Sequence, residues 1–372
     1  MKRILIVNNN MHIGGVQKAL LNLLNEICAD YDITLLLFYD GGELIKDIPQ
    51  NVKVVTPNAL FRYWGMTKDD VKNYRDRFLR AVWAGLTKLF GKKVIMRIAC
   101  FFQKQICGFD AAISFLHNGP EKMFYGGCNE FVLYRVDAKK KITFLHCDYK
   151  EIKASCRYNT EIYRQFDVIA ACSAGCEKAF LEVEPQFKGK TIVVPNCQNY
   201  ESIRQMAQKQ PVHLEHDKLN LITVARFGKE KGILRAIRAV AELGKQSENM
   251  RYYIIGNGAD YAEAKKVIFD LGLNNRIDLL GMMENPYGYM AEADVLLIPS
   301  VSEAAPMVIQ EAAFLGTPVL TTETSSAKEM VSDRGLGWVC DNSQSGIKQG
   351  IEMLLNDTQK VQRRKEYIRA IE

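Results

Sequence analysis

Short, continuous apolar runs alternate along this chain with stretches of helical period, and that alternation restricts the fold more than any other feature. The runs are RILIV, DITLLLF, AAISFL, ITFLH, DVIAAC and TIVVP in the first half, then LNLITVA, YYIIG, IDLL, DVLLIP, TPVLTT and GWVC. A strand with one wet face alternates apolar and polar residues. A strand apolar throughout is covered on both faces, as in a parallel sheet sandwiched by helices. The pattern therefore predicts two doubly wound α/β domains. At 372 residues the chain also exceeds what one core usually organises. After VVPNC it turns polar and lacks a strand, so the expected division is a first domain over 1–197, a linker over 198–217, a second domain over 218–356 and a basic helical tail over 357–372. Ligands of such a pair are expected at the carboxyl ends of the strands, in the cleft between the domains.

Composition narrows the function classes. With 48% hydrophobic and 25% charged residues and no low-complexity tract, disorder is not a useful reading. The ten cysteines are scattered without a C-x-x-C pair, and a chain of this length does not need disulfide staples, so they are read as reduced core thiols. The apolar run after MKR is too short for a signal peptide, and no run of 18 apolar residues exists. The expected location is the cytoplasm. The net charge of +6 is modest, but residues 71–106 hold nine basic residues (Lys72, Arg75, Arg77, Arg80, Lys88, Lys92, Lys93, Arg97, Lys104) against the single acid Asp76. The surplus is local.

Two segments of the second half carry the chemistry. In LLIPSVSEAAPMVIQEAAFLGTPV a strand ends near Ser300, a loop carries Glu303, and Pro306 starts a helix that contains Glu311 and is capped by Gly316. Backbone N–H groups of Ala305, Met307 and Val308 at that helix start suit a phosphate. Carboxylates beside it suit sugar hydroxyls. The alternative is two solvated acids favoured by the helix dipole. In TVARFGKEKG, Arg226 and Lys231 follow a strand and can neutralise a diphosphate, although basic loops are commonly only solvated.

The pair ARFGKEKG and EAAPMVIQEA, about 75 residues apart, resembles the signature of family 4 glycosyltransferases of the GT-B fold, an Arg and a Lys in the first loop and E-x7-E in the later one. GNG at 256–258, DVLLIPS, GTPVLTT and VPNC fall in the family's order. The resemblance implies two Rossmann-like doubly wound parallel-sheet domains facing a central cleft, with the final helix crossing back to the first. It implies that Glu311 holds the ribose hydroxyls, that Glu303 contacts the donor sugar, and that Arg226 and Lys231 bind the leaving diphosphate. Gly256, Ala305, Pro306, Met307 and Val308 join the donor-binding set. The family commonly has Gly after the first glutamate, where this chain has Ala304, and glycine permits backbone angles that alanine restricts.

The first half adds Gly14 and Gly15, between a strand and a helix, where N–H groups can approach a phosphate or donor sugar. They are not a G-x-G-x-x-G fingerprint, but they resemble the GG of family 4 enzymes, a loop that closes over the donor. His146 ends a strand, and the resemblance places a histidine there beside the reacting sugar; His117 and His12 compete with it. The apolar and basic segment 71–106 suits an anionic membrane leaflet, or else packs on the first sheet with its cations solvated. No nucleic-acid module accompanies the charge.

The resulting expectation is a retaining transfer of sugar from a nucleotide donor, a UDP-sugar more readily than a GDP-sugar, to a glycan or lipid-linked glycan hydroxyl in bacterial surface polysaccharide synthesis, with the enzyme cytoplasmic or peripheral at the inner membrane face. No metal and no further cofactor is expected. The alternatives are a nucleotide-sugar epimerase of the same fold and a catalytically silent paralogue that supports another transferase.

Overall fold

The computed structural model describes residues 1–67 and 69–371. The chain divides into two units, Met1–Cys197 and Gln198–Glu372. The first unit runs β1 (Lys2–Asn8), α1 (Gly15–Ile27), β2 (Tyr31–Leu37), β3 (Lys53–Val55), α2 (Arg62–Gly65), α3 (Tyr74–Phe101), β4 (Ile106–Ser114), α4 (Cys128–Arg135), β5 (Val136–Leu145), α5 (Arg157–Arg164), β6 (Val168–Ala171), α6 (Ala174–Val183) and β7 (Thr191–Val193). Its seven strands are all parallel in the order β3-β2-β1-β4-β5-β6-β7. The order reverses between β1 and β4. Leu5, Val7, Leu36 and Ala112 on the strands meet Phe131 and Val132 of α4 and Ile95, Met96 and Ala99 of α3 in one core. Both faces of the sheet are covered, which is why its strands read as unbroken apolar runs. β3 is a three-residue edge strand with two exposed residues, too short and too wet to register as a run.

The second unit runs α7 (Tyr200–Lys209), β8 (Leu219–Val224), α8 (Ile233–Glu242), β9 (Met250–Ile255), α9 (Tyr261–Asp270), β10 (Ile277–Gly281), α10 (Tyr287–Glu292), β11 (Val295–Ile298), α11 (Met307–Phe314), β12 (Val319–Thr322), β13 (Gly337–Cys340), α12 (Gln344–Asn356) and α13 (Thr358–Ile371). Its parallel strand order is β10-β9-β8-β11-β12-β13, reversing between β8 and β11. Separate apolar clusters fill its two faces, one under α8, α9 and α12 and one under α10, α11 and α13.

Two expectations change. The segment 198–217 is not a bare linker, because α7 occupies half of it and belongs to the second unit. Ile203 is buried there, and Asn285 Nδ2 donates to Met206 O at 2.8 Å. The helix is polar on its outer side, and that polarity is what resembled a linker. The tail, expected to cross to the first domain, is anchored in the second unit. Ile368 joins its core, Lys365 Nζ donates to Ala293 O at 3.0 Å, and Arg364 Nη1 donates to Gly335 O at 2.6 Å.

Candidate active site

Lys231 and Glu303, 72 residues apart in sequence, form an ion pair of 2.7 Å. β8 and β11 are the strands flanking the reversal of order in the second sheet, and their carboxyl ends open side by side, where doubly wound sheets bind ligands. The loop after β8 folds into a short 3-10 turn, Lys229–Lys231, and the loop after β11 lies against it, with Val301 N donating to Glu230 O at 2.8 Å. Glu303 Oε1 also accepts from Ser300 Oγ at 2.7 Å, and Glu303 O accepts from Ser325 Oγ at 2.8 Å. The acid is thus held by three partners, with only 10% of its side chain exposed.

Arg226 lies at the rim. Its Nη2 donates to Glu230 Oε1 at 2.6 Å, and its side chain is 72% exposed. The GNG stretch packs behind this loop. Phe227 N donates to Asn257 O at 2.9 Å, Gly256 N donates to Gly281 O at 2.7 Å, and Gly256 has φ +143° with its Cα against Ala225 O, where any Cβ would collide. Only glycine fits there.

Beyond Glu303 the chain passes Ala304, which is buried and outside the positive-φ region. The backbone at this point therefore makes no demand for glycine. Pro306 is the N-cap residue of α11, one position earlier than its expected place in the first turn, and Met307 opens the helix. The first N–H groups of an α-helix have no acceptor within it and point along the axis. Glu311, one turn inside, is almost wholly buried, and its Oε1 accepts from Tyr287 O–H at 3.3 Å. Its burial excludes the reading of Glu311 as a solvated surface acid.

Arg235 was missed by sequence reasoning. From the first turn of α8 it donates through Nε to Pro299 O at 2.8 Å, and through Nη2 to Ser300 O at 2.6 Å and Asn342 Oδ1 at 2.7 Å. Asn342 Nδ2 in turn donates to Val301 O at 2.8 Å. Together they fasten the strand end that presents Glu303. The available signal was a cation in a helix's first turn, where the dipole opposes it and a specific partner is implied.

In the first unit, Gly14 is the N-cap of α1 in extended conformation, and a Cβ on Gly15 would meet nothing within 4 Å. The face of the turn beside Gly15 is open. His146 follows β5 directly, stacks on Phe144 at 5.5 Å and packs against Phe115 at 4.7 Å with the rings tilted by 46°. Burial, reinforced by His117, takes its pKa down to about 3. Burial, reinforced by Lys92, takes that of His117 to about 4. Both rings are neutral near pH 7 and can serve as polar contacts rather than cations. His12 is bonded on both ring nitrogens, as described below.

The basic segment is partly rearranged. Lys92, counted among its nine cations, is fully buried, and burial lowers its pKa against the pull of Glu130. It is no surface charge. Gly91, at φ +79°, bends α3. Ile95, Met96, Ala99 and Cys100 pack inward, while Phe78, Leu89, Phe90, Val94, Ile98, Phe101 and Phe102 remain exposed. Among the described residues no helix is long and apolar enough to cross a membrane, and no group of three or more His, Cys, Asp or Glu could hold a metal ion.

Comparison with known proteins supports the fold. Residues 205–371, nearly all of the second unit, match the family model of glycosyl transferases group 1. The chain is 33% identical over 132 residues to the amylovoran biosynthesis glycosyltransferase AmsK of Erwinia amylovora, covering 33% of this chain and 32% of that protein. It is 28% identical over 198 residues to the N-acetylgalactosamine-N,N'-diacetylbacillosaminyl-diphospho-undecaprenol 4-alpha-N-acetylgalactosaminyltransferase of Campylobacter jejuni, covering 53% of each. These matches span about a third to a half of the relatives' lengths. In fold, the whole chain is similar to Anabaena HepE in complex with UDP, with a TM-score of 0.67 at 19% identity and 94% of that chain covered. The two parallel, doubly wound Rossmann-like units are of the GT-B type, and the second unit matches the family model of glycosyl transferases group 1.

Proposed function

We propose that this protein transfers a sugar from a nucleotide donor, a UDP-sugar in preference to a GDP-sugar, to a hydroxyl of a glycan or lipid-linked glycan in surface polysaccharide synthesis, with retention at the anomeric carbon. The observation that carries the reading is the Lys231–Glu303 pair beside buried Glu311 at the β8/β11 crevice. A cation, a helix N-terminus and two carboxylates of different burial together make a set suited to phosphate and sugar hydroxyls. Glu311 binds the ribose hydroxyls. Lys231, with three N–H donors, holds Glu303 and a phosphate oxygen at once. Arg226, exposed at the rim, leaves Glu230 for the diphosphate. Gly256 and the backbone of Ala305, Pro306, Met307 and Val308 line the donor, and Gly14 and Gly15 offer N–H groups to it.

In the reaction the bond between the anomeric carbon and the diphosphate oxygen breaks, the leaving charge being stabilised by Arg226, Lys231 and the α11 terminus. The acceptor hydroxyl forms the new bond on the same face, and its proton passes to the departing phosphate oxygen. His146 contributes as a neutral imidazole beside the sugar. The UDP and UDP-glucose complexes of the fold neighbour support the uridine preference, and the diphospho-undecaprenol in the Campylobacter relative's name supports a lipid-linked acceptor. The exposed apolar residues of α3, flanked by Arg75, Arg77, Lys88 and Arg97, dock on an anionic membrane surface and bring the protein to that acceptor.

A thermal-shift panel of UDP, GDP, ADP and their sugar conjugates tests the donor. A ligand at a hundred times its Kd adds about 2.7 kcal/mol to the folded state. A shift selective for UDP-sugars and abolished by Glu311→Ala is expected; no shift with any nucleotide refutes the reading.

A further inference from the structure

His12 lies between β1 and the glycine turn, and each nitrogen of its ring faces a carboxylate. Nδ1 is 3.2 Å from Glu43 Oε2, and Nε2 is 2.9 Å from Asp70 Oδ2. A neutral imidazole has one N–H and one lone pair, so it can donate to only one of these acids while turning a lone pair on the other. The imidazolium alone satisfies both. The acids come from different segments, Glu43 from the 3-10 turn Glu43–Asp47 and Asp70 from the chain after α2. Glu43 Oε2 also accepts Ile13 N–H at 3.1 Å, and Asp70 Oδ2 accepts Thr67 N–H at 2.6 Å and Thr67 Oγ–H at 2.8 Å. Burial pushes both carboxyls up, yet these bonds and His12 bring each below its ordinary value. Charged or titratable groups around this cluster include Tyr39, stacked on the imidazole at 6.4 Å, Arg62 over the Tyr39 ring, Asp40 and Asp76.

The backbone at His12 is equally constrained. Gly42, at φ +123°, sits against the main chain of Met11 and His12, where any Cβ would collide. Met11 N donates to Gly41 O at 3.0 Å, and Leu44 N donates to Met11 O at 3.0 Å. Two residues after His12 comes Gly14, an N-cap with no side-chain cap bond, then Gly15 with open space beside it. Glu43 thus holds the entry to the turn twice, through Ile13 N–H and through the His12 ring.

We infer that His12 is a positioning residue: bridging Glu43 and Asp70 through its two ring nitrogens, it fixes the turn of Gly14 and Gly15, so that engagement of the nucleotide sugar by that turn depends on the bridge. This rests on the donor-binding reading of the turn.

The test compares full-length wild type, H12Q and H12R. KM for a UDP-sugar should be about tenfold higher in H12Q than in the wild type, the size of one hydrogen bond to a charged group, with kcat less affected. H12R keeps donors toward both acids and should restore a low KM. A wild-type KM in H12Q overturns the inference. Hydrogen exchange of amides 12–16 in the ligand-free protein at pH 6 provides a second readout, expected to be faster in H12Q. Equal exchange overturns the clamp whether or not any nucleotide sugar binds. Absence of UDP-sugar binding by the wild type, with the exchange difference intact, refutes the donor reading instead. Should H12Q not fold, E43Q removes one anion and is expected to give the same exchange difference.

Discussion

Lys231 Nζ and Glu303 Oε1 lie 2.7 Å apart, so the residue proposed to receive the leaving phosphate is paired with the residue proposed to hold the sugar. The pair is partly open to water on the lysine side, with 26% of Lys231 exposed. Its worth to folding is correspondingly small. Lys231→Ala should therefore lower kcat by about 10²–10³ while the melting temperature barely moves, as expected for loss of one preorganised donor to a transition state. Initial rates and a melting curve on one preparation check this. A large fall in melting temperature with little change in kcat would reverse the assignment.

Arg235 serves Glu303 at one remove. Its fork to Pro299 O and Ser300 O cannot be copied by a single ammonium. Arg235→Lys should cost about 1–3 kcal/mol in stability, since buried carbonyls lose donors. It should also raise KM for the donor, because the loop that presents Glu303 is loosened. Denaturant unfolding and steady-state kinetics read the two effects separately.

The buried histidines set an acid limit on stability. His146 and His117 titrate at about 3 and about 4 in the folded chain, against about 6.5 unfolded. Below pH 6.5 the unfolded chain takes up protons that the folded chain refuses. This part of the stability is thus whole above pH 6.5 and declines as pH falls toward those folded values. His146→Phe, which keeps an aromatic ring against Phe144 and Phe115, should flatten the decline between pH 7 and pH 4.5. The check is the slope of unfolding free energy against pH in both proteins.

Phe101 and Phe102 are 75% and 64% exposed at the end of α3. Replacing both by Glu removes apolar surface and adds two negative charges without touching the core. Co-sedimentation with phosphatidylglycerol-containing vesicles should fall sharply, with the melting temperature unchanged. Equal sedimentation of variant and wild type would remove the membrane-docking proposal.

Gly256→Ala places a methyl group against Ala225 O at a backbone angle that L-residues avoid. A loss of about 1–3 kcal/mol is expected from the strained angle, together with weaker nucleotide binding, because the GNG stretch supports the Arg226 loop from behind. Denaturant unfolding and a nucleotide titration of the variant check the two effects.

What the sequence determined by itself is local in origin. Twelve apolar runs announced twelve of the thirteen strands found among the described residues, because a strand buried on both faces must be apolar at every position. The spacing of Glu303, Pro306, Glu311 and Gly316 announced a loop, a helix and its end, because helix starts and stops depend on neighbouring residues. Tertiary structure decided what depends on distant partners. Lys92 has the sequence character of its exposed neighbours, yet the bend at Gly91 turns it into the interior. Helix α7 has the composition of a linker, yet Asn285 and a buried Ile203 secure it to the second unit. The partners of Lys231, Arg235 and His12 lie between 31 and 107 residues away, and no periodicity within a window of one helix or strand encodes a pairing across that distance. The chain must fold before those charges meet.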